Sequence, residues 1–258
     1  MRNIIIILSL LWIAYSCNTP LPKQPEFEHL KSEKRIYASN DSAQPYMTLS
    51  MEFTYLSAFT NDTLLANIQK IFVVAFAGED YAGRSPKGAF DAYEKEITDE
   101  SLALASDLGK DIPDFSEYYQ KIKTEVVDTA QNIITAKTTN ENYMGGAHGA
   151  YYVFYYNIDT KTAKLLTEEN FFKPDTKKQI SGFIYEGLQS KYGNKLNEVL
   201  FESDNIEPNG NFYFGEKGLV YVFNEYEIAP YSEGLIEVII PYEKIRELIM
   251  PSYINKIG

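Results

Sequence analysis

The stretch YMTLSMEFTY, from Tyr46 to Tyr55, decides the first part of the fold, because apolar and polar residues alternate along it. Neighbouring side chains of a β-strand point to opposite faces of a sheet, so a period of two predicts a strand with one buried face. The folded body therefore begins with a strand that contributes one face to a core. The buried face comprises Met47, Leu49, Met51, Phe53 and Tyr55, and the polar face comprises Thr48, Ser50, Glu52 and Thr54.

Two helices and a hairpin are predicted after this strand. Asn61 and Asp62 can cap the start of the first helix, and Gly78 is suited to end it. A second, less regular helical pattern extends to about Leu108, and two β-rich runs within residues 119–139 then predict a hairpin. Apolar residues recur at helical spacing in the first helix, at Leu64, Leu65, Ile68, Ile71, Phe72 and Ala75.

Helices and strands segregate along the chain instead of alternating as βαβ units. This order favours an α+β fold with antiparallel sheets and helices packed on one face. We expect two α+β subdomains in tandem, over residues 43–142 and 143–258. The elements predicted in the second subdomain are an aromatic strand over 151–158, a helix from Pro174, strands over 219–228 and 235–240, and a helix after Pro241.

The first residues have the order of a secretory signal peptide. Arg2 precedes an apolar run, and Ala14, Tyr15 and Ser16 lead directly to Cys17. The apolar run is shorter than the roughly 20 residues that a membrane-spanning helix needs. The segment resembles a lipoprotein signal, which implies removal of residues 1–16 and a lipid on Cys17. An uncleaved anchor, or an ordinary signal peptide with an incidental cysteine, is the alternative.

Residues 17–42 are predicted to form a flexible tether behind the lipidated cysteine. They contain Pro20, Pro22 and Pro25 among charged residues and few large apolar ones. Because His29 falls in this segment, we expect it to take no part in a fixed site.

The net charge restricts the partners of the protein, and the cysteine content restricts how its fold is stabilised. The formal net charge of the 258-residue chain is −12, which disfavours nucleic acid and favours a basic partner. Cys17 is the only cysteine, so disulfide bonds cannot stabilise the folded body.

The sequence contains little that indicates catalysis. The chain has two histidines and lacks the HExxH, GxSxG, SxxK and GxxxxGK[ST] motifs. We therefore predict no catalytic residue, no metal ligand and no cofactor. Carboxylates are plentiful, but a glycosidase pair is recognised by the separation of its carboxyl groups and not by sequence.

Two segments carry candidate ligand-binding residues. The first is YMGGAHGAY, residues 143–151, in which three glycines surround a histidine and permit close approach of the backbone. The second is FNEYEIAPYSEG, residues 223–234, in which polar residues lie among aromatic ones. Tight packing at the glycines and ordinary solvated acids are the alternative interpretations. The candidates are Gly145, Gly146, His148, Tyr151, Glu225, Tyr226 and Tyr231.

The same segments carry a family resemblance. The GGAHG run with its aromatic strand, the stretch NIDTKTAKLLTEENFF and the stretch YEIAPYSEGLIEVIIPYEKI resemble the extracytoplasmic domain of RsiV-type anti-sigma factors and PdaC-type proteins. The resemblance makes 143–258 RsiV-like and 43–142 PdaC-like. It implies lysozyme binding, as in the anti-sigma factor, or a role beside peptidoglycan, as in the deacetylase.

We therefore expect a stand-alone lipoprotein of the bacterial cell envelope that binds peptidoglycan-type glycan or a lysozyme-like protein without catalysing a reaction. A glycan-directed hydrolase or accessory that uses His148 with Glu225 or Glu227 is the alternative, and a structural protein that pairs its sheet edges with partners is a third. Asn18 gives no strong signal for inner-membrane retention, so the outer membrane is favoured. The sequence leaves the ligand and the oligomeric state open.

Overall fold

The computed structural model describes residues 25–37, 45–108 and 118–256. The predicted signal peptide and Cys17 lie outside these ranges. Within them, no helix combines the length and the apolar character needed to cross a membrane.

The first sheet has six strands, and their order in the sheet is their order in the chain. Neighbouring strands are antiparallel except β2 and β3, which run parallel. A parallel pair needs a crossover connection, and the two long helices between these strands supply it. The strands are β1 (Glu26–Ile36), β2 (Met47–Ala58), β3 (Tyr118–Asp128), β4 (Ile133–Tyr143), β5 (Ala150–Asp159) and β6 (Lys164–Leu165).

Helices α1 (Asp62–Ala77) and α2 (Pro86–Leu108) pack on one face of this sheet. Helix α1 begins as predicted, because the Asn61 side chain accepts a hydrogen bond of 3.0 Å from the Leu64 amide. It also ends as predicted at Gly78, whose φ of 96° is readily adopted by glycine. The apolar face of β2 meets the helices, and the rings of Phe53 and Phe76 stack with centroids 4.4 Å apart.

The second sheet is smaller and antiparallel. It contains β7 (Phe212–Phe214), β8 (Gly218–Phe223) and β9 (Ile236–Pro241). Helix α4 (Lys177–Tyr192) packs on it, and its apolar residues join a second core. Three short helices complete this subdomain: α3 (Glu168–Phe171), α5 (Leu196–Val199) and α6 (Tyr242–Ile245). The α+β class with two subdomains is confirmed.

The boundary between the subdomains differs from the predicted one at residue 143. Strands β5 and β6 belong to the first sheet, because β5 pairs with β4 from Asn142↔Ala150 to Ile133↔Asp159. The glycine-rich segment before β5 is therefore a hairpin connection within one sheet and not a link between two domains. The change from one sheet to the other comes after Leu165.

The prediction of a flexible tether through residue 42 is also corrected. Residues 26–36 form β1, which pairs with β2 along its whole length. Its many charged residues are typical of an edge strand, and they concealed its β character in the sequence. His29 consequently has a fixed place, and its Nδ1 lies 3.0 Å from Thr54 Oγ1. Strand β8 ends at Phe223, earlier than the predicted residue 228, because a turn follows.

Candidate functional site

The glycine-rich loop joins β4 to β5 and holds His148 at the surface. Gly145 and Gly146 have φ values of 95° and 92°, in the region that glycine adopts without strain. A side chain on Gly149 would place its Cβ 2.5 Å from the Asn142 carbonyl oxygen, so this position has no room for one. The packing interpretation thus accounts for Gly149, whereas the His148 side chain is exposed.

A four-residue turn, Asn224 to Glu227, presents Tyr226 next to this loop. The Glu227 amide donates to the Asn224 carbonyl, and the Asn224 amide donates back to the Glu227 carboxylate, at 3.1 and 2.8 Å. Tyr226 has a φ of 63°, where glycine or asparagine is usual. For an L-residue this conformation costs about 1–2 kcal/mol. Backbone strain of this kind is concentrated at functional sites in proteins.

The turn is anchored to the first sheet through the outer edge of β5. Asn224 exchanges two hydrogen bonds with the backbone of Val153: its Oδ1 accepts from the amide at 2.7 Å, and its Nδ2 donates to the carbonyl at 3.2 Å. Asn211 accepts from the Tyr155 amide at 2.9 Å and donates to the Val153 carbonyl at 2.8 Å. These side-chain amides occupy the positions of a neighbouring strand, so they seal the β5 edge.

Three exposed rings meet where the loop and the turn come together. His148, Tyr226 and Tyr231 form this ring cluster. The rings of His148 and Tyr231 stack with centroids 3.8 Å apart and an interplanar angle of 13°. The Tyr226 centroid lies 5.9 Å from that of His148 and 6.0 Å from that of Tyr231. Tyr226 is 53% exposed and Tyr231 is 36% exposed, so the rings are accessible from solvent.

Hydrogen bonds fix the orientation of His148 within the ring cluster. Its Nδ1 lies 2.8 Å from the Gly149 carbonyl oxygen, which can only accept, so the neutral ring carries its proton on Nδ1. Nε2 then accepts from the Tyr226 hydroxyl, at 2.9 Å. Both ring nitrogens are therefore satisfied in the neutral form.

The remaining candidates play supporting parts. Glu225 lies beside the ring cluster, and its carboxylate accepts from the Tyr151 amide at 3.1 Å. Tyr151 joins the site only through this amide, because its side chain lies near Glu141 and Lys123 on the open face of the sheet. Gly145 and Gly146 shape the loop, and the Gly146 carbonyl accepts from the Tyr143 hydroxyl at 3.0 Å.

The acids of the turn, Glu225 and Glu227, serve as structural acceptors. The Glu227 carboxylate accepts from Asn209 Nδ2 at 2.7 Å and from the Asn224 amide at 2.8 Å. The contacts of His148 are with Gly149, Tyr226 and Tyr231, so this geometry does not pair it with Glu225 or Glu227. Within the part of the chain that the structure describes, no group of three or more His, Cys, Asp or Glu side chains could hold a metal ion.

Sequence reasoning missed an aromatic cleft that Tyr226 helps to line. The cleft has a volume of about 500 Å³. Tyr152, Phe154 and Tyr156 supply one wall because alternate residues of β5 point to the same face. The alternation was visible within the predicted aromatic strand, but the opposite wall comes from distant residues. The lining that matters here is Tyr152, Phe154, Tyr156, Leu165 and Tyr226.

Tyr119 is a further residue that the sequence did not single out. Its hydroxyl donates to the Glu141 carboxylate at 2.9 Å, and this hydrogen bond, with burial, raises the pKa of Tyr119. The Tyr119 hydroxyl lies near Tyr231, which adds to this upward shift of the pKa. It therefore stays protonated and adds a polar group at the margin of the ring cluster.

The fold and the site define a two-subdomain α+β protein with an aromatic surface where the subdomains meet. Residues 169–243 match the family model described as DUF3298, a protein of unknown function. The chain thus contains a DUF3298 domain, which includes Tyr226 and Tyr231 but not His148.

Two solved structures show the same fold. A member of the DUF3298 family from Bacteroides fragilis is 24% identical, with a TM-score of 0.80 over 89% of this chain and 95% of that one. A DUF3298 family protein from Pseudomonas aeruginosa PAO1 is 16% identical, with a TM-score of 0.64 over 89% of this chain and 96% of that one. None of the curated proteins compared with this chain matches it.

Proposed function

We propose that this chain is a lipid-anchored protein of the bacterial cell envelope that binds peptidoglycan-type glycan through the ring cluster, without catalysing a reaction. One observation carries the proposal: His148 and Tyr226, 78 residues apart in the sequence, meet in an exposed group of rings. The face of an aromatic ring carries partial negative charge, so it attracts the weakly positive C–H groups of a sugar ring. The resemblance to RsiV-type and PdaC-type domains also supports a ligand of the envelope.

The local charges favour a glycan over an anionic ligand. Glu225 and Glu227 flank Tyr226 in the turn, and Glu233 follows Tyr231 closely in the chain. Carboxylates accept hydrogen bonds from sugar hydroxyl groups, whereas they repel phosphate and nucleic acid. Because His148 and Tyr231 are already stacked, binding requires little further ordering of side chains.

We expect Tyr231→Ala to weaken the binding of soluble peptidoglycan fragments at least tenfold. The substitution removes one stacked ring, and a tenfold change corresponds to about 1.4 kcal/mol. Since Tyr231 is exposed, its loss should leave the melting temperature nearly unchanged. Isothermal titration calorimetry measures the affinity directly.

The matched control is Tyr185→Ala, which removes a tyrosine of similar exposure from α4. This variant should bind as the unaltered protein does. The proposal is wrong if the unaltered protein releases no heat with any fragment, or if Tyr231→Ala binds as tightly as the control.

A basic, lysozyme-like protein is the second candidate ligand, and the net charge of −12 favours it. Attraction between exposed charges is screened by salt, so binding of a basic protein should weaken steeply as ionic strength rises. Stacking of a neutral sugar should change little. Titrations at low and high salt therefore separate the two ligands.

Catalysis and the pairing of sheet edges gain less support from the site. For a hydrolase, His148→Ala should abolish turnover of the glycan at an unchanged melting temperature, but the carboxylates of Glu225 and Glu227 already bond within the fold. For a protein that pairs its sheet edges with partners, the β5 edge is already sealed by Asn211 and Asn224.

The lipid anchor is tested by Cys17→Ser. We expect this variant to lose labelling by palmitate and to leave the detergent phase, because two or three acyl chains on one residue anchor a protein durably. Asn18→Ser keeps the cysteine and should behave as the unaltered protein does. If Cys17→Ser still labels and still partitions into detergent, the cysteine is not the site of lipidation.

A further inference from the structure

The aromatic cleft lies next to the ring cluster, and Tyr226 belongs to both. One side of the Tyr226 ring faces His148 and Tyr231, with which it makes ring contacts. Tyr226 also lines the cleft, together with side chains of β5. The two surfaces are therefore continuous across a single exposed side chain.

The ring faces are the parts of the cleft that remain available to a ligand. Asn209, Asn211 and Asn224 line the cleft, but their amides are used in hydrogen bonds within the protein. Phe154, by contrast, is 42% exposed although it lies in the middle of β5. Together with Tyr226, which is 53% exposed and lines the same cleft, Phe154 forms an exposed aromatic surface of the kind that ligands cover.

The size and the charge of the cleft restrict the ligand. Sites for small molecules have volumes of about 300–1,000 Å³, and the cleft, at about 500 Å³, has room for a ligand of that size. Its wall combines aromatic faces with the carboxylates of Glu225 and Glu227. A ligand with apolar C–H faces, many hydroxyl groups and little negative charge suits this combination.

The conformation of Tyr226 provides an independent reason to assign it a role. A tyrosine at a φ of 63° is strained where glycine or asparagine would not be. The turn would therefore form more easily with glycine or asparagine at this position. A strained residue that is also exposed suggests a function of the side chain itself.

We propose that the aromatic cleft is a second subsite for the same glycan, so that linked sugar units extend from the ring cluster across Tyr226 to Phe154. This inference rests on the proposed function and adds that the ligand is a chain of several units. A chain that contacts both surfaces gains affinity from each without a second loss of translational freedom.

The test compares fragments of increasing chain length by calorimetry. We expect the affinity of the unaltered protein to rise with length until both surfaces are covered. Phe154→Ala should weaken the longest fragment at least tenfold and leave the shortest unchanged. Tyr226→Asn should weaken both without lowering the melting temperature, because asparagine tolerates the backbone conformation. Tyr185→Ala serves again as the control.

A second substitution guards against a folding defect. Phe154→Leu keeps an apolar side chain of similar bulk but removes the ring, so it should fold normally and still weaken the longest fragment. The second subsite is overturned if affinity does not depend on length and both Phe154 variants bind all fragments normally, and binding at the ring cluster then stands. If the unaltered protein binds no fragment of any length, the proposed function itself fails.

Discussion

Replacing Asn211 by alanine should lower the free energy of unfolding by about 3 kcal/mol, because it opens the sealed edge of β5. The Asn211 side chain bonds to the Tyr155 amide and to the carbonyls of Val153 and Val222, and it is buried. In the variant, the Val153 carbonyl still accepts from Asn224 and the Val222 carbonyl still accepts from Asn209. The Tyr155 amide, in contrast, has no other acceptor in the described structure. A buried donor left unpaired costs about 1–3 kcal/mol, the Tyr155 amide is partly buried, and each further net hydrogen bond contributes about 1 kcal/mol.

Urea unfolding followed by circular dichroism measures this loss. Asn194→Ala, at an exposed position, is the control and should change the stability by less than about 0.5 kcal/mol. Asn211→Asp keeps the oxygen that accepts from the Tyr155 amide, but it replaces the amide nitrogen by an oxygen that faces the carbonyls of Val153 and Val222. It should therefore also lower the free energy of unfolding. If Asn211→Ala lowers the free energy of unfolding no more than the control does, water must replace the side-chain amide without a loss of stability.

The second large effect is expected for Gly149→Ala, at about 1–3 kcal/mol of destabilisation. The new Cβ would lie 2.5 Å from the Asn142 carbonyl oxygen, and a backbone atom cannot move aside as a flexible side chain can. The β4–β5 connection must therefore shift, and His148, which directly precedes Gly149, should shift with it. Thermal unfolding measures the destabilisation, and a weaker affinity for glycan should accompany it.

Gly83→Ala is the matched control, since a Cβ there has open space and the backbone requires no positive φ. It should be neutral or slightly stabilising. Should Gly149→Ala prove as harmless as Gly83→Ala, tight packing would no longer explain the glycine at this position.

The sequence predicted those elements whose signals are local. Helix α1 could be located because Asn61 caps its start and Gly78 ends it. Strand β2 could be located because its alternation persists over many residues, and the β3–β4 hairpin because its strands adjoin along the chain. In each case the residues that decide the element are close neighbours in sequence.

Non-local features could not be predicted in the same way. Nothing near β1 indicates that it will pair with β2, since its charged residues are equally typical of a solvated segment. The parallel pairing of β2 and β3 depends on how two helices cross the sheet. The inclusion of β5 in the first sheet depends on a hairpin whose two strands fall on either side of the predicted subdomain boundary at residue 143.

The candidate site shows the same division. Two unusual segments of the sequence indicate His148, Tyr226 and Tyr231, and the structure brings these three rings together. Asn211 escaped notice because an asparagine near a glycine is typical of an ordinary turn. Its bond to Val153 joins residues 58 positions apart, a relation that no local pattern contains.

The sealed β5 edge also bears on how these molecules behave when they are crowded together. An exposed strand edge is a template on which another chain can add a strand, and this is the first step of many aggregation reactions. Here side chains cover that template. A side chain cannot be exchanged between molecules, whereas a strand can be exchanged by domain swapping. The opposite edge, β1, carries charged residues such as Glu28, Glu33 and Lys34. The two lateral margins of the six-stranded sheet thus resist self-association by different means, one by covering its hydrogen-bonding groups and the other by charge.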